Sequence, residues 1–273
     1  MIGIADTGTG IGIVNTAERD TPPNAPYFLL EFEQTGGEKE LVFAAGVCSE
    51  AEGDEEIDAR RYVTTLLQEF FKKKGAEIDI EDYGVMLRRI FQHIHRHLYE
   101  EWEERVGGLD LAVVLAEAST VHAARCGGGQ IFVFHGGEAS PIFGDEEDSS
   151  LLGTGSWKKV GVKKAAVQPG DILVICSPEV AGVIKERDLT LILRRASDPP
   201  KAGLFLSAIA ERKGAQGPLT ALIWEVPNYQ GAAILTEETA PGAEKEQEEE
   251  GQETEVADQA KKHWLNLWRH RKG

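Results

Sequence analysis

The sequence predicts an α+β layered fold on three observations. Strand-like and helical segments are segregated along the chain, the strand-like ones are short apolar runs set apart by glycine-bearing turns, and the helical ones carry apolar residues three and four apart. A doubly wound parallel sheet would instead alternate strand and helix. At 273 residues with 41% hydrophobic composition, the chain is long enough and apolar enough to bury a sizeable core.

Taken in order, Tyr27–Glu33 and residues 41–45 read as two strands of a hairpin closed by the turn Thr35-Gly36-Gly37. Residues 55–74 and 79–105 follow as two long helices separated near Gly75. Ile57, Val63, Leu66, Leu67 and Phe70 form the apolar stripe of the first, and Val85, Leu87, Ile90, Phe91, Ile94 and Leu98 that of the second. From Leu109 the pattern returns to strands: 109–117, 120–125, Gln130–His135, a pair around 157–167, and 171–176, expected as a meander. Residues 180–187, 189–196 and 201–212 read as shorter helices, and 219–226 as a last buried strand.

After Pro227 the composition changes. Residues 237–258 hold ten acidic side chains against one lysine and almost nothing apolar, the composition of a disordered linker. The organisation read from this is a folded domain over 1–228, an acidic linker over 229–260 and a basic aromatic tail over 261–273. The formal charge of −17 divides as −9 for 237–258, +5 for 261–273 and −13 for 1–236, so the body is acidic in its own right. That balance excludes nucleic acid as a partner, because phosphate binding needs clustered Lys and Arg. Cys48, Cys126 and Cys176 are far apart and form no CxxC pair, which indicates neither a disulfide framework nor a zinc knuckle and fits a reducing cytoplasm. The opening MIGIADTGTG has no basic stretch before an apolar run, and no window reaches the ~20 apolar residues of a span, so the expectation is a cytoplasmic chain that does not cross a bilayer.

Three phrases stand in a telling order: LVFAAG before a long helix, ARCGGGQIFVFHGG between strands, and VQPGDILVICSPE before the last helices. Together they resemble the metal-dependent PPM-type protein serine/threonine phosphatase family, protein phosphatase 2C, over residues 19–226. The family's phrases read A-D-G, A-N-V-G-D-S-R-A-Y and P-G-D-x-L-L-L-C-S-D-G, with a final D-N-x-T. The resemblance implies a four-layer α-β-β-α sandwich of two antiparallel sheets flanked by antiparallel helices, with 55–74 and 79–105 over one sheet.

The same resemblance implies that the chemistry-bearing letters have changed. Ala45 stands where the first phrase has its metal-bridging aspartate, followed by the retained Gly46. Gly128 stands at the aspartate of the second phrase. Pro178 and Glu179 replace Asp-Gly in the third, and Gly217 and Pro218 replace Asp-Asn in the fourth. The N-terminal R-x-x-N-E-D phrase has two registers. In RDTPPNAPYFLL, Ala25 and Pro26 take the acid positions, with Arg19, the candidate phosphate contact, two residues too far upstream; in DTGTGIGIVNTA, Thr16 and Ala17 take them. The family's reaction needs Mg²⁺ or Mn²⁺ held by converging carboxylates, which alanine, glycine and proline cannot supply.

Other features have plainer readings. Gly127–Gly129 lacks the helix and Lys-Ser/Thr of a phosphate loop, so a tight hairpin corner is expected. DTGTGIGIV is a weak dinucleotide fingerprint, with neither a strand before it nor a helix after. His93 and His97 have zinc spacing but no third ligand, so solvated histidines on a polar helix face are expected. Cys176 reads as core packing, and the acids around Asp54 to Glu56 as complements to a helix N-terminus. Trp264 and Trp268, one helical turn apart among five basic residues, read as a docking tail for an anionic membrane surface or an acidic protein groove.

The function expected is a catalytically inactive, bacterial-style pseudophosphatase. It would use no cofactor or metal and bind a protein partner such as a kinase or phosphoprotein. Two alternatives stay open. One is an active metal-dependent phosphatase whose Mg²⁺ or Mn²⁺ is held by an unmatched set such as Asp6, Glu52, Asp54 and Glu179. The other is a phosphate or small-molecule sensor using the glycine-lined remnant of the cleft.

Overall fold

The computed structural model describes residues 10–16, 26–33, 41–48, 54–74, 83–102, 107–117, 119–144 and 150–227. Its strands form two five-stranded antiparallel sheets. The first runs β1 (Ile11–Asn15), β10 (Thr220–Glu225), β9 (Ile172–Cys176), β6 (Gln130–His135) and β7 (Glu138–Pro141). The second runs β2 (Tyr27–Glu33), β3 (Leu41–Cys48), β4 (Leu111–Glu117), β5 (Thr120–Cys126) and β8 (Gly161–Ala166). Helices α1 (Asp54–Lys74) and α2 (Tyr83–Trp102) pack on the second sheet, and α4 (Glu186–Arg195) and α5 (Pro199–Arg212) on the first, with α3 (Pro178–Val183) leading into them.

Four layers require three apolar interfaces, and the strand residues sort into them by alternation. On β3 and β4, Ala44, Cys48, Leu111, Val113 and Leu115 meet the α1–α2 layer, where Leu87, Phe91, Ile94 and Leu98 of α2 are buried. The intervening Phe43, Ala45, Val47, Ala112 and Val114 face the other sheet. Leu173, Ile175, Leu222 and Trp224 approach them from β9 and β10, while Val174, Cys176, Ala221 and Ile223 turn to the α3–α5 side. Because the central strands are buried on both faces, they read as unbroken apolar runs. At the middle interface Phe43 and Trp224 stack with centroids 4.0 Å apart and planes 3° from parallel, a pairing worth about 0.5–1.5 kcal/mol beyond its burial.

The hairpin of β2 and β3 is present, with β3 continuing to Cys48; its turn, 34–40, lies outside the described residues. The end of the DTGTGIGIV stretch, not singled out as a strand, forms β1, which pairs antiparallel with β10; Gly12 is needed there because a Cβ would run into the Pro199 carbonyl at the start of α5. Three expectations are corrected. The strands from 109 onward do not form one meander, because β5 and β6 belong to different sheets. Gly127–Gly129 is therefore a crossing between sheets, not a hairpin corner. The hairpin follows it, joining β6 to β7 through Gly136 and Gly137, whose φ values of 58° and 86° suit a tight turn. Finally, the expected strand pair around 157–167 is the single strand β8, preceded by a loop in which Leu152 bridges to Leu109.

No helix among the described residues is long and apolar enough to cross a membrane. The acidic segment 237–258 and the tail with Trp264 and Trp268 lie outside the described residues.

Candidate functional site

Where the sheets approach each other at one end, four chain segments converge. Gly127, at φ 82°, turns the chain out of β5, and its lack of a Cβ leaves room for the Asp110 side chain just before β4. Gly128 then donates its backbone N–H to Asp110 Oδ1. A Cβ placed on Gly128 would lie 3.5 Å from Pro178, the first residue of α3, and one on Gly129 would lie 3.0 Å from the Cys176 carbonyl oxygen. Gly217, ahead of β10, is 3.8 Å by the same measure from Glu179 Cγ. Thus Gly128, Pro178, Glu179 and Gly217 are brought together.

Ala45 lies deeper in the same interface, wholly buried on β3 between Leu29 and Val114. Gly46 faces the opposite way, where a Cβ would strike the Phe28 ring. Pro26 is buried at the head of β2, its carbonyl accepting the Cys48 N–H at 2.7 Å, and Pro218 is half-buried beside Gly217. Arg19, Ala25, Asp6, Glu52, Trp264 and Trp268 lie outside the described residues, as does the side chain of Asp54.

The scaffold around these positions is closely tied. The Ser177 N–H donates to the Thr220 carbonyl at 2.9 Å, joining the end of β9 to the start of β10. Thr16 N–H donates to the Leu219 carbonyl at 3.0 Å, and Leu219 N–H returns a bond to Thr16 Oγ1 at 2.7 Å. Arg125 is buried under the glycine crossing and donates to the carbonyls of Gly129 and Gly144, its guanidinium 4.8 Å from the centre of the Phe143 ring.

Two carboxylates remain at this end. Burial pushes the Asp110 carboxyl above its ordinary value; the Gly128 amide opposes that shift, and the nearby Glu179 charge adds to it. Glu179 Oε2 is itself buried, with no hydrogen-bond partner among the described residues. Sequence reading singled out Glu179 but missed Asp110. The signal was there: one acid between Gly107-Gly108 and a run of apolar strand residues is an anomaly that burial alone does not explain.

These residues do not fit the two-cation centre implied by the resemblance. Ala45, Gly128, Pro178 and Gly217 offer no side-chain oxygen, and one Asp110 oxygen is already engaged by an amide. Among the described residues, no three or more His, Cys, Asp and Glu side chains come together as a metal-binding group.

The histidines on α2 are not simply solvated. His97 stacks on Tyr62 of α1 with ring centroids 4.3 Å apart. His95 stacks on Trp157 at 4.2 Å and accepts the Gly153 N–H on Nδ1 at 3.1 Å. Burial, and then the neighbouring Arg96 charge, hold the His95 pKa below its ordinary value. The correction has a simple cause: Tyr62 and Trp157 present flat apolar surfaces that the helix pattern alone cannot reveal. Gln92, His95, Arg96, Tyr99 and Trp157 line an open surface pocket of about 380 Å³. Cys176 is fully buried and its thiol is pushed up to about 12 by burial, which suits packing and not nucleophilic attack.

The sequence matches no family model and no curated protein. The structure, in contrast, is similar to solved phosphatases. The serine/threonine phosphatase Stp1 from Staphylococcus aureus superposes with a TM-score of 0.62 at 14% identity, covering 84% of this chain and 98% of that one. The S. agalactiae serine/threonine phosphatase gives 0.59 at 15% identity, covering 79% and 98%. The catalytic domain of the serine threonine protein phosphatase PstP, solved with two manganese ions, gives 0.60 at 13% identity, covering 80% and 99%. With its two antiparallel five-stranded sheets between helical layers, this chain has the protein phosphatase 2C-like fold of the bacterial PPM-type serine/threonine phosphatases.

Proposed function

We propose that this protein is a pseudophosphatase: a phosphatase-like scaffold without the family's chemistry, acting as a binding or regulatory module in phosphorylation signalling. One observation carries the reading. Gly128, Pro178 and Gly217, which replace acids of the family phrases, are neighbours in space, and Ala45 lies buried in the same interface. The loss is thus concentrated where in-line attack on phosphorus would need cations. Asp110 and Glu179 together are too few carboxylates for two hard divalent ions. The partner under this reading is a protein such as a kinase or phosphoprotein.

Calorimetric titration of Mn²⁺ and Mg²⁺ into the full chain, alongside hydrolysis of a phosphatase reporter substrate, tests the proposal. No stoichiometric binding and no turnover are expected. Tight binding of two cations with turnover would establish an active phosphatase with an atypical ligand set. The buried Glu179 Oε2 favours one narrower second reading, a single weakly held cation without turnover. Loss of that binding in Glu179→Gln would identify it.

A further inference from the structure

We infer that the outer edge of β8, the last described strand of its sheet, together with the pocket beside Trp157, is a docking site for an extended acidic peptide segment of a partner protein that presents an aromatic side chain. The inference deepens the binding-module reading and rests on it for biological sense, but its chemistry lies apart from the degenerate cleft.

The first observation is charge. Residues 150–170 contain Lys158, Lys159, Lys163 and Lys164 and no acid, within a body whose net charge is −13. All four lysines are exposed. A local cationic strip on an acidic protein selects acidic partners at close range, while the overall charge discourages indiscriminate anion binding.

The second is backbone. β8 ends the order of its sheet and pairs only with β5 among the described residues, so its outer N–H and C=O groups face away from the sheet. Lys163 lies toward the middle interface, its Nζ 5.7 Å from the Phe143 ring centre. Val162, one residue earlier, packs with the α1–α2 layer, and alternation puts Lys164 on that same side. Opposite faces of the edge therefore carry cations. An added antiparallel strand would find main-chain partners between them. Six residues of β8 give a reach of about 20 Å.

The third is the pocket, which lies at Trp157, immediately before Lys158 in the chain. Its floor is the His95–Trp157 stack, held from both sides: Trp157 Nε1–H donates to Cys126 Sγ at 3.2 Å, and the Gly153 amide fixes His95 Nδ1 as an acceptor. In neutral His95 the proton then sits on Nε2 as a donor. Arg96 and Gln92 supply further donors at the rim. An aromatic side chain with an adjoining carboxylate matches this combination of flat floor and donor rim. Lysines on a strand edge also serve to deter aggregation. That role alone would give no affinity for acidic strands and no dependence on the pocket.

The test uses the full chain and a fluorescein-labelled ten-residue peptide of Glu-Glu-Thr-Thr repeats, which carries acids on both faces of a strand, with one Tyr near an end. Anisotropy titration should show saturable binding that weakens as salt rises from about 50 to 500 mM. Charge reversal by Lys163→Glu/Lys164→Glu, and separately by Lys158→Glu/Lys159→Glu, should each cost about tenfold or more in affinity. Trp157→Phe, which preserves a ring, should bind better than Trp157→Ala, and circular dichroism confirms that each variant is folded. Titration is repeated in a variant with Asp145→Asn, Glu146→Gln, Glu147→Gln and Asp148→Asn, which lowers the acidity of the sequence ahead of the lysines. Absence of binding in both backgrounds overturns the proposal. So does equal binding of a Lys-for-Glu peptide, or retention of affinity after both reversals. Vesicles containing phosphatidylserine form a further arm, and binding to them with the same lysine dependence but none to the peptide would assign the strip to lipid and overturn it too. Cation-dependent hydrolysis would defeat the binding-module reading while leaving the peptide result standing, so the two failures are distinguishable.

Discussion

Placing an acid at position 45 probes how completely the middle interface is built without charge. Ala45 has no exposed surface and is enclosed by Phe43, Val47 and Val114. In Ala45→Asp the new carboxyl loses water without gaining a cation, so its folded pKa must rise. If it rises by about 3 units, ionisation costs about 4 kcal/mol at pH 7, and burying even the neutral acid adds about 1–3 kcal/mol. The expected destabilisation is about 5–7 kcal/mol, and at about 2–4 °C per kcal/mol for a domain of this size the Tm falls by ~10–28 °C. The sign of the pH dependence follows from the raised pKa. The folded state holds more protons than the unfolded state, so the penalty grows as pH rises from about 4 and shrinks to about 1–3 kcal/mol below that. Urea denaturation of both proteins at pH 4 and pH 7 measures the difference directly. The single variant should also show no phosphatase turnover, since one carboxylate cannot position two ions. A penalty below about 1 kcal/mol at pH 7, or full recovery of stability on adding Mn²⁺, would show ligands already poised around position 45 and refute the reasoning.

Four further outcomes are expected. The Asp110 carboxyl, followed by carbon-13 NMR, should titrate above the ordinary carboxylate range and move back toward it in Glu179→Gln; because its folded pKa is raised, stability falls as pH climbs through that window, and Asp110→Asn should flatten the fall. Gly12→Ala should destabilise by about 1–3 kcal/mol or more, read by urea denaturation, because the Cβ meets the Pro199 backbone and not a side chain that can swing away. Ellman's reagent should find no fast thiol in the native protein and three after denaturation, since Cys48, Cys126 and Cys176 are all buried; rapid labelling of Cys176 would contradict its raised pKa. A fluorescent reporter fused to residues 259–273 should sediment with anionic vesicles at low salt, and sedimentation equal to that of the Trp264→Ala/Trp268→Ala control would rule out the membrane version of the tail's role.

The layered architecture was legible because its cause is local. The stripe on α2 and the two-faced apolar runs of β4 and β9 declare which residues need covering, and the segregation of strands from helices follows directly. What was not legible depends on distant partners. β1 is a short, glycine-bearing segment whose strand identity comes from β10, more than two hundred residues later. The glycine crossing looked like a hairpin because nothing in Gly127–Gly129 records that the next strand pairs with β9 and not with β5. Ala45, Gly128, Pro178 and Gly217 were singled out through the phrases that contain them, whereas Asp110 lies outside every phrase; its place ahead of an apolar strand marked it as odd, but its partner is known only because the fold sets it under the Gly128 amide. His97 was misjudged for the same reason, as its aromatic cover, Tyr62, comes from another helix.

The pairing of β1 with β10 also constrains how the protein can be made. Ile11 meets Trp224 and Asn15 meets Thr220, so the first described strand has no native partner until nearly the whole body has been synthesised. On a ribosome adding about 5–20 residues each second, the apolar run Ile11–Asn15 would wait on the order of ten seconds or more before its partner emerges. The second sheet has no such delay between its paired neighbours β2 to β5, whose residues end at Cys126. Translation therefore favours a nascent chain in which one sheet with its two helices forms early, while the other holds an open apolar edge until synthesis passes Glu225. Shielding of that edge by a chaperone, and not the chemistry of the finished cleft, would then limit the yield of folded protein in a cell.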